Sequence, residues 1–460
     1  MSISAKIFKA YDIRGLSPQE LDEEGAYCIG QAVVKFTGAK IVVVGRDMRT
    51  TSPEIFAGLA RGINSMGADV VDIGLVTTPM LYFAAGNYDQ FDAGIIVTAS
   101  HNPSEYNGMK LCFGDVLPMG GNTGIYDIRD LALAGPYEPV VEPGNVSQLD
   151  IRADYLERLF RDVDVSQLSG LKLVIDTGNG MEGAIIDDVL GRIPGLTSEI
   201  LYKDLDGSFP NHEANPLKEE TLKDLQAKVL EMGANLGVAF DGDGDRVGLV
   251  DEEGQSIRGD IITALLASIV LKTAPGAAVL YDVRESMVLA EEIKQAGGRP
   301  VMTSVGHGLI KPHMRQEDAV FAGELSNHFY FRDFYGSESS DLVMLLIMKL
   351  IVESGRSLSE LVTPLMRYHH SGEINSRVED KDVVLAMLEQ KYGPQTSNIS
   401  RIDGVRMEFF NPSDSSGDWW FSVRASNTEP LLRLNLEAKD RVKMEQRRDE
   451  LLEVIGGERS

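Results

Sequence analysis

The chain has 460 residues, 43% apolar and 25% charged, enough apolar material for about two to four domain cores. Its 44 basic and 70 acidic residues leave a net charge of -26, which repels polyanions and argues against nucleic acid or an anionic membrane as partner. Cys28 and Cys112, the only cysteines, match neither a disulfide framework nor a zinc motif, and the start MSISAKIFKAYDIRG has no apolar signal core, so a cytoplasmic protein is expected.

In chain order, one pattern of runs occurs three times. A β-branched run (IVVVGRD from Ile41, KLVIDTG from Lys172, AVLYDVR from Ala278) is followed by a helix-like stretch: SPEIFAGLARGI, MEGAIIDDVLGRI or SMVLAEEIKQAG. A second run follows (ADVVDIG, SEILYKD, RPVMTSVG), and then a third that ends in a polar loop: DAGIIVTASHNP, NLGVAFDGDGDR and DAVFAGELSNH. Buried strands alternating with helices predict α/β units. We therefore expect three tandem related α/β domains with mixed sheets, 1–150, 151–255 and 256–368. The tail 369–460, with RMEFFN, WWFSVRAS, LLRLNLEA and a charged helix from Arg441, reads as a smaller α+β domain. Ligands bind beyond the carboxyl ends of strands in open α/β sheets, so the three polar loops are expected to face one central cleft.

The loops carry the chemistry. TASHNP offers Ser100, whose hydroxyl can accept a phosphoryl group and pass it on. A serine-hydrolase reading lacks the G-x-S-x-G elbow, and His101 directly after Ser100 is poor triad geometry. DGDGDR places Asp241, Asp243 and Asp245 around two glycines, so three carboxylates can converge on one hard cation. An EF-hand counted from Asp241 would put Glu252 at its last ligand position, but Arg246 stands where that loop needs glycine. GELSNH carries Glu324 and Ser326 for sugar hydroxyls and His328 for proton transfer. RASNTEP carries Arg424, Ser426, Asn427 and Thr428, with Arg433 beyond it, and reads either as a local cationic pocket for phosphate in an acidic chain or as an ordinary turn between strands. Arg14 in YDIRG, Lys110 in NGMK, and His307 and Lys311 in SVGHGLIK also read as surface charges, while Trp419 and Trp420 read as packing residues.

TASHNP, DGDGDR, GELSNH and RASNTEP, in this order, resemble the α-D-phosphohexomutases, most closely the phosphomannomutase/phosphoglucomutase branch, over essentially the whole chain. The resemblance implies four domains around a deep cleft. Ser100 would be a phosphoserine, and Asp241, Asp243, Asp245 and a phosphoserine oxygen would hold one Mg2+. Glu324 and Ser326 would hold the sugar, and Arg424, Ser426, Asn427 and Thr428 the unreacting phosphate. Arg14, Lys110 and His328 match positions of acid–base and electrostatic work, and Arg246 and His307 further cleft positions. Leu325 and Asn327 stand where many relatives have Met and Gly.

The activity so implied interconverts hexose 1-phosphate and hexose 6-phosphate, of mannose or glucose, through a hexose 1,6-bisphosphate. Hexose phosphates would be the partners and the chain a monomer or weak homo-oligomer. A phosphatase would release phosphate in proportion to substrate consumed, and a sugar-phosphate sensor would bind without turnover. Because water would hydrolyse the phosphoserine, the tail domain is expected to close over the ligand.

Overall fold

In the computed structural model, which describes residues 3–411, 417–425 and 431–459, each of the three repeats forms its own sheet. The first sheet contains β1 (Ile13–Leu16), β2 (Ile41–Arg46), β3 (Asp69–Leu75), β4 (Ala93–Val97), β5 (Tyr106–Phe113) and β6 (Val146–Gln148), ordered β1-β5-β4-β2-β3-β6. The second contains β7 (Lys172–Asp176), β8 (Thr197–Leu201), β9 (Leu236–Phe240), β10 (Val247–Val250) and β11 (Ser256–Ile257), ordered β11-β10-β9-β7-β8. The third contains β12 (Ala278–Asp282), β13 (Arg299–Thr303), β14 (Phe321–Gly323), β15 (Phe329–Phe331) and β16 (Ser337–Glu338), ordered β13-β12-β14-β15-β16.

Four strands of each sheet are laid out alike. The leading strand (β2, β7 or β12) pairs in parallel with two others. The third-run strand (β4, β9 or β14) then turns back antiparallel into the next strand through the polar loop. This places the serine, aspartate and glutamate loops at equivalent ends of their sheets. β4 and β9 are buried along their whole length, which is why their sequences run apolar without alternation.

The stretch MEGAIIDDVLGRI departs from the expected helix. It forms a 3-10 turn, Met181–Ala184, and a short helix, Ile186–Leu190. An ideal Cβ at Gly183 would lie 2.1 Å from the Lys203 carbonyl, and the Met181 N–H donates to Gly242 O at 2.9 Å. Close packing against the neighbouring segment and the aspartate loop thus outweighs local helix preference.

The fourth sheet is antiparallel: β17 (His369–His370), β18 (Ile374–Arg377), β19 (Asn398–Ser400), β20 (Val405–Phe409), β21 (Trp419–Ala425), β22 (Leu431–Ala438) and β23 (Glu458–Arg459). Helices Lys381–Tyr392 and Arg441–Ile455 bury Leu388, Leu451 and Leu452 in a core shared with Met407, Trp419 and Phe421. Trp420 is also buried. Among the described residues, no helix is long and apolar enough to cross a membrane.

The seams between domains differ. One apolar cluster runs through the first three, with Phe83, Tyr155 and Phe334 meeting edge to face at 5.6 and 6.0 Å. The fourth domain has a separate core and meets the third through charged groups. The Arg406 guanidinium stacks on Trp420 at 3.6 Å and donates to Val283 O and Glu285 O at 2.8 and 3.1 Å.

At the seam of the second and third domains, the Glu182 carboxyl is buried beside Asp341, which accepts from the Tyr155 hydroxyl at 2.6 Å. Burial, then the nearby Asp341 charge, pushes Glu182 well above its ordinary value of 4.5. The folded protein therefore keeps a proton that the unfolded chain releases, and stability falls as pH rises above that value. Glu182→Gln retains a donor and removes the titration. At pH about 8 it should be the more stable protein by about 1–3 kcal/mol, and near pH 4 the gap should close. Melting curves of both proteins across this range check it; a gap that does not change with pH would show that Glu182 holds no extra proton in the folded protein.

Candidate active site

The serine and aspartate loops meet although they belong to different sheets. Ser100 is buried, with its backbone at φ 52. Its Oγ donates to Asp241 Oδ2 at 2.8 Å and lies 3.1 Å from His101 Nδ1. An ideal Cβ on Gly242 would lie 2.5 Å from Ser100 O, so only glycine lets the aspartate loop approach this closely. Burial, and then Arg246 and Arg14, hold the His101 imidazole well below the usual histidine range and hence neutral.

Asp241, Asp243 and Asp245 are all buried, and each offers a carboxylate oxygen within 4.8 Å of the others. The Lys110 Nζ lies 2.7 Å from Asp243 Oδ2 and also bonds Asp245 Oδ2. Thr78 Oγ1 donates to Asp243 Oδ2 at 2.7 Å. Asp243 Oδ1 and Asp245 Oδ1 are buried without a hydrogen-bond partner. Two such oxygens in an all-carboxylate cluster suit a hard divalent cation, which would supply the missing partner. The charges are mutually dependent. Burial, then Asp243 and Asp245, pushes Asp241 well above the usual carboxylate range. Burial would also raise Asp245, but Lys110, His328 and Arg246 together more than offset it and hold that carboxyl well below the range. Burial lowers Lys110, yet Asp243 and Asp245 outweigh it and keep the ammonium firmly charged.

The glutamate loop of the third domain joins this cluster. Arg246 Nε lies 3.3 Å from His328 Nε2, which also stands 3.5 Å from Asp245 Oδ1. His328 Nδ1 lies 3.0 Å from Ser326 Oγ. Glu324 is buried and accepts from the Gly306 N–H at 2.9 Å and from the Tyr330 hydroxyl. His307 opens helix His307–Gln316 and stands 5.9 Å, ring to ring, from Tyr11 of the first domain. Burial, then Lys311 and Lys110, keeps its imidazole well below the usual range. Arg14 reaches the serine loop by donating to Ala99 O at 3.3 Å and Asn102 Oδ1 at 2.7 Å.

Arg424 and Arg433 lie directly opposite each other on β21 and β22. Like charges so placed repel, so the pair calls for anions. Arg424 has Asp403 at 3.4 Å and Arg433 has Glu373 at 3.5 Å. Asp403 in turn accepts from Val305 N at 3.2 Å, linking the fourth domain to the backbone beside His307. Ser426, Asn427 and Thr428 lie outside the described residues.

Neither Lys110 nor Lys311 is a surface charge. Lys311 is buried, 2.6 Å from Glu338 and 3.4 Å from the Tyr82 ring, clamping the third domain against the first. Sequence reasoning passed over Thr78 and Arg49. The signal for both was position, since each follows a strand of the first sheet at the end that carries Ser100.

Comparison with known proteins gives one consistent result. Residues 5–131, 153–254 and 258–368 match the phosphoglucomutase/phosphomannomutase alpha/beta/alpha domains I, II and III, and residues 373–454 match the C-terminal domain of that family. A phosphomannomutase of Salmonella montevideo is 41% identical over 456 residues, covering 97% of this chain and 98% of its own. A protein of Xanthomonas campestris described as phosphohexose mutases is 41% identical over 455 residues, covering 98% of this chain and 99% of its own. Among solved structures, a phosphoglucomutase/phosphomannomutase family protein of Burkholderia thailandensis superposes with a TM-score of 0.89 at 34% identity, each chain covered completely.

If the three aspartates share one cation, Asp243→Asn should weaken Mn2+ binding, measured by titration calorimetry, by about tenfold or more. Unchanged affinity would place the ion elsewhere.

Proposed function

The chain belongs to the phosphoglucomutase/phosphomannomutase family, and we propose that it performs a hexose-phosphate mutase reaction through a phosphoryl group carried on Ser100. The substrates are the 1- and 6-phosphates of mannose or glucose. One observation carries the reading of Ser100: its hydroxyl, on the first domain, sits 2.8 Å from an aspartate of the second inside a cluster of three buried carboxylates.

The proposed cycle is symmetric. Phosphorylated Ser100 faces the free hydroxyl of a bound hexose phosphate. The sugar oxygen forms its bond to phosphorus as the bond to Ser100 Oγ breaks, and the departing Oγ keeps the electron pair. His328, beside Arg246 and Ser326, takes the hydroxyl proton once Arg246 turns to the substrate. Lys110 and Arg14 offset the charge that gathers around phosphorus and Oγ. A bound Mg2+, held by Asp241, Asp243 and Asp245, would neutralise phosphate charge and orient the transferring group. Glu324 and Ser326 would hold sugar hydroxyls.

The product of this half is a hexose 1,6-bisphosphate. It turns over in the cleft, and Ser100 recovers the other phosphate by the reverse step, which also returns the proton. Throughout, the phosphate that is not reacting needs its own site. The facing pair Arg424 and Arg433 supports placing that site on the fourth domain, since a phosphate between them would relieve their repulsion. A phosphatase has no use for such a second site.

The test is direct. With Mg2+, a trace of hexose 1,6-bisphosphate and mannose 1-phosphate or glucose 1-phosphate, the 6-phosphate should accumulate without stoichiometric free phosphate. Ser100→Ala should lower turnover by about a thousandfold or more while the melting temperature is kept. Full activity in that variant would eliminate the proposed carrier. Arg424→Ala should raise KM by about 10–100-fold, the loss of a charge-assisted phosphate contact. An unchanged KM would remove that arginine from the substrate.

A further inference from the structure

Arg49 belongs to the first domain, just beyond the carboxyl end of β2, and its side chain is fully buried. Its guanidinium bonds no side chain placed at the reacting centre. Instead, its guanidinium is wrapped by the backbone of the serine loop. Nη2 donates to Ser100 O at 2.8 Å and to Asn102 O at 2.5 Å. Nη1 donates to Pro103 O at 2.7 Å and Tyr106 O at 2.9 Å. Nε lies 3.2 Å from Asp47 Oδ2, and Asp47 Oδ1 is itself fixed by the Ser52 hydroxyl at 2.5 Å and the Arg49 N–H at 3.1 Å.

One planar cation thus gathers three carbonyls from a loop with no regular structure of its own and a fourth from Tyr106, the first residue of β5. The planar fork is what allows this. Lysine offers a single ammonium and cannot span the same set. The contact to Ser100 matters most, because that residue holds φ at 52, a conformation that favours glycine. Its carbonyl is tied to Arg49 on one side while its Oγ is tied to Asp241 on the other. Fixing the carbonyl fixes the rotation of the residue, and therefore the direction of Oγ. The second domain completes the enclosure, with the Phe209 ring 5.2 Å from the guanidinium.

We propose that Arg49 is a positioning residue for phosphoryl transfer: by gathering the carbonyls of Ser100, Asn102, Pro103 and Tyr106 it holds the phosphoserine aligned with the sugar hydroxyl. The inference rests on the reading of Ser100 as the phosphoryl carrier. Transfer to a sugar hydroxyl needs one geometry, whereas a water molecule can attack from any open direction. Loosening the loop therefore penalises transfer to sugar more than loss to water.

The experiment uses full-length protein carrying radiolabelled phosphate on Ser100. Single-turnover rate constants are measured for transfer to hexose 1-phosphate and for loss to water, each per phosphorylated serine, so that misfolded protein drops out. In Arg49→Lys, transfer to sugar should fall about 100-fold, with the concentration giving half-maximal rate changed less than about twofold and loss to water unchanged or faster. Asp47→Asn, which keeps the guanidinium and weakens its anchor, should shift the same ratio about tenfold. It decides the matter should Arg49→Lys fail to fold. A ratio equal to that of the parent protein, whether both rates stay or both fall together, would overturn the proposal. A parent protein that isomerises without any labelled serine would instead overturn the reading of Ser100, and the two failures are thus separable.

Discussion

Three carboxylates buried side by side, in a protein of net charge -26, are the constraint on which the rest of the structure depends. Their mutual repulsion is tolerable only with positive charge packed against them. Lys110 comes from the neighbouring sheet and takes the Oδ2 atoms of Asp243 and Asp245. This leaves the opposite oxygens for a cation. It also ties the first domain to the second at the point where Ser100 meets Asp241. A single electrostatic requirement therefore sets which strands must lie together, which loop must contain glycine, and where Ser100 stands.

Much of this was legible in the chain. The runs IVVVGRD, KLVIDTG and AVLYDVR appear as the leading strands of three sheets that share one order of four strands, because strands buried on both faces advertise themselves as unbroken apolar runs. The loops TASHNP, DGDGDR and GELSNH come together because each ends the equivalent strand. Long-range partners were not legible. Nothing local distinguishes Lys311 from a solvated lysine; only the meeting of the first and third domains brings it to Tyr82 and Glu338. Arg49 escaped for a related reason, since its partners are main-chain carbonyls, which leave no mark in side-chain identity. The Met181–Ala184 turn shows tertiary contact overruling a helical pattern.

The joins between domains sort by chemistry. Apolar and aromatic groups weld the first three into one block, so the serine, aspartate and glutamate loops keep fixed distances. The fourth domain retains its own core and is attached through Arg406, Arg258 and Glu437. Hydrogen-bonded charges at a join can exchange partners with water or a ligand, whereas interlocked side chains cannot slide without opening voids. Rigidity is thus placed where bonds would be made and broken, and adjustability where a phosphate would be gripped.

The division of the Ser100 and Asp241 pair between two sheets also bears on how the protein is made. A ribosome delivers the serine loop well before DGDGDR, so a nascent first domain presents its hydroxyl without the carboxylates that complete the pocket. During that interval Lys110 too lacks its buried partners. No truncated product ending before the second sheet can assemble the centre. The serine and aspartate loops come together in one step, when the second sheet docks against the first.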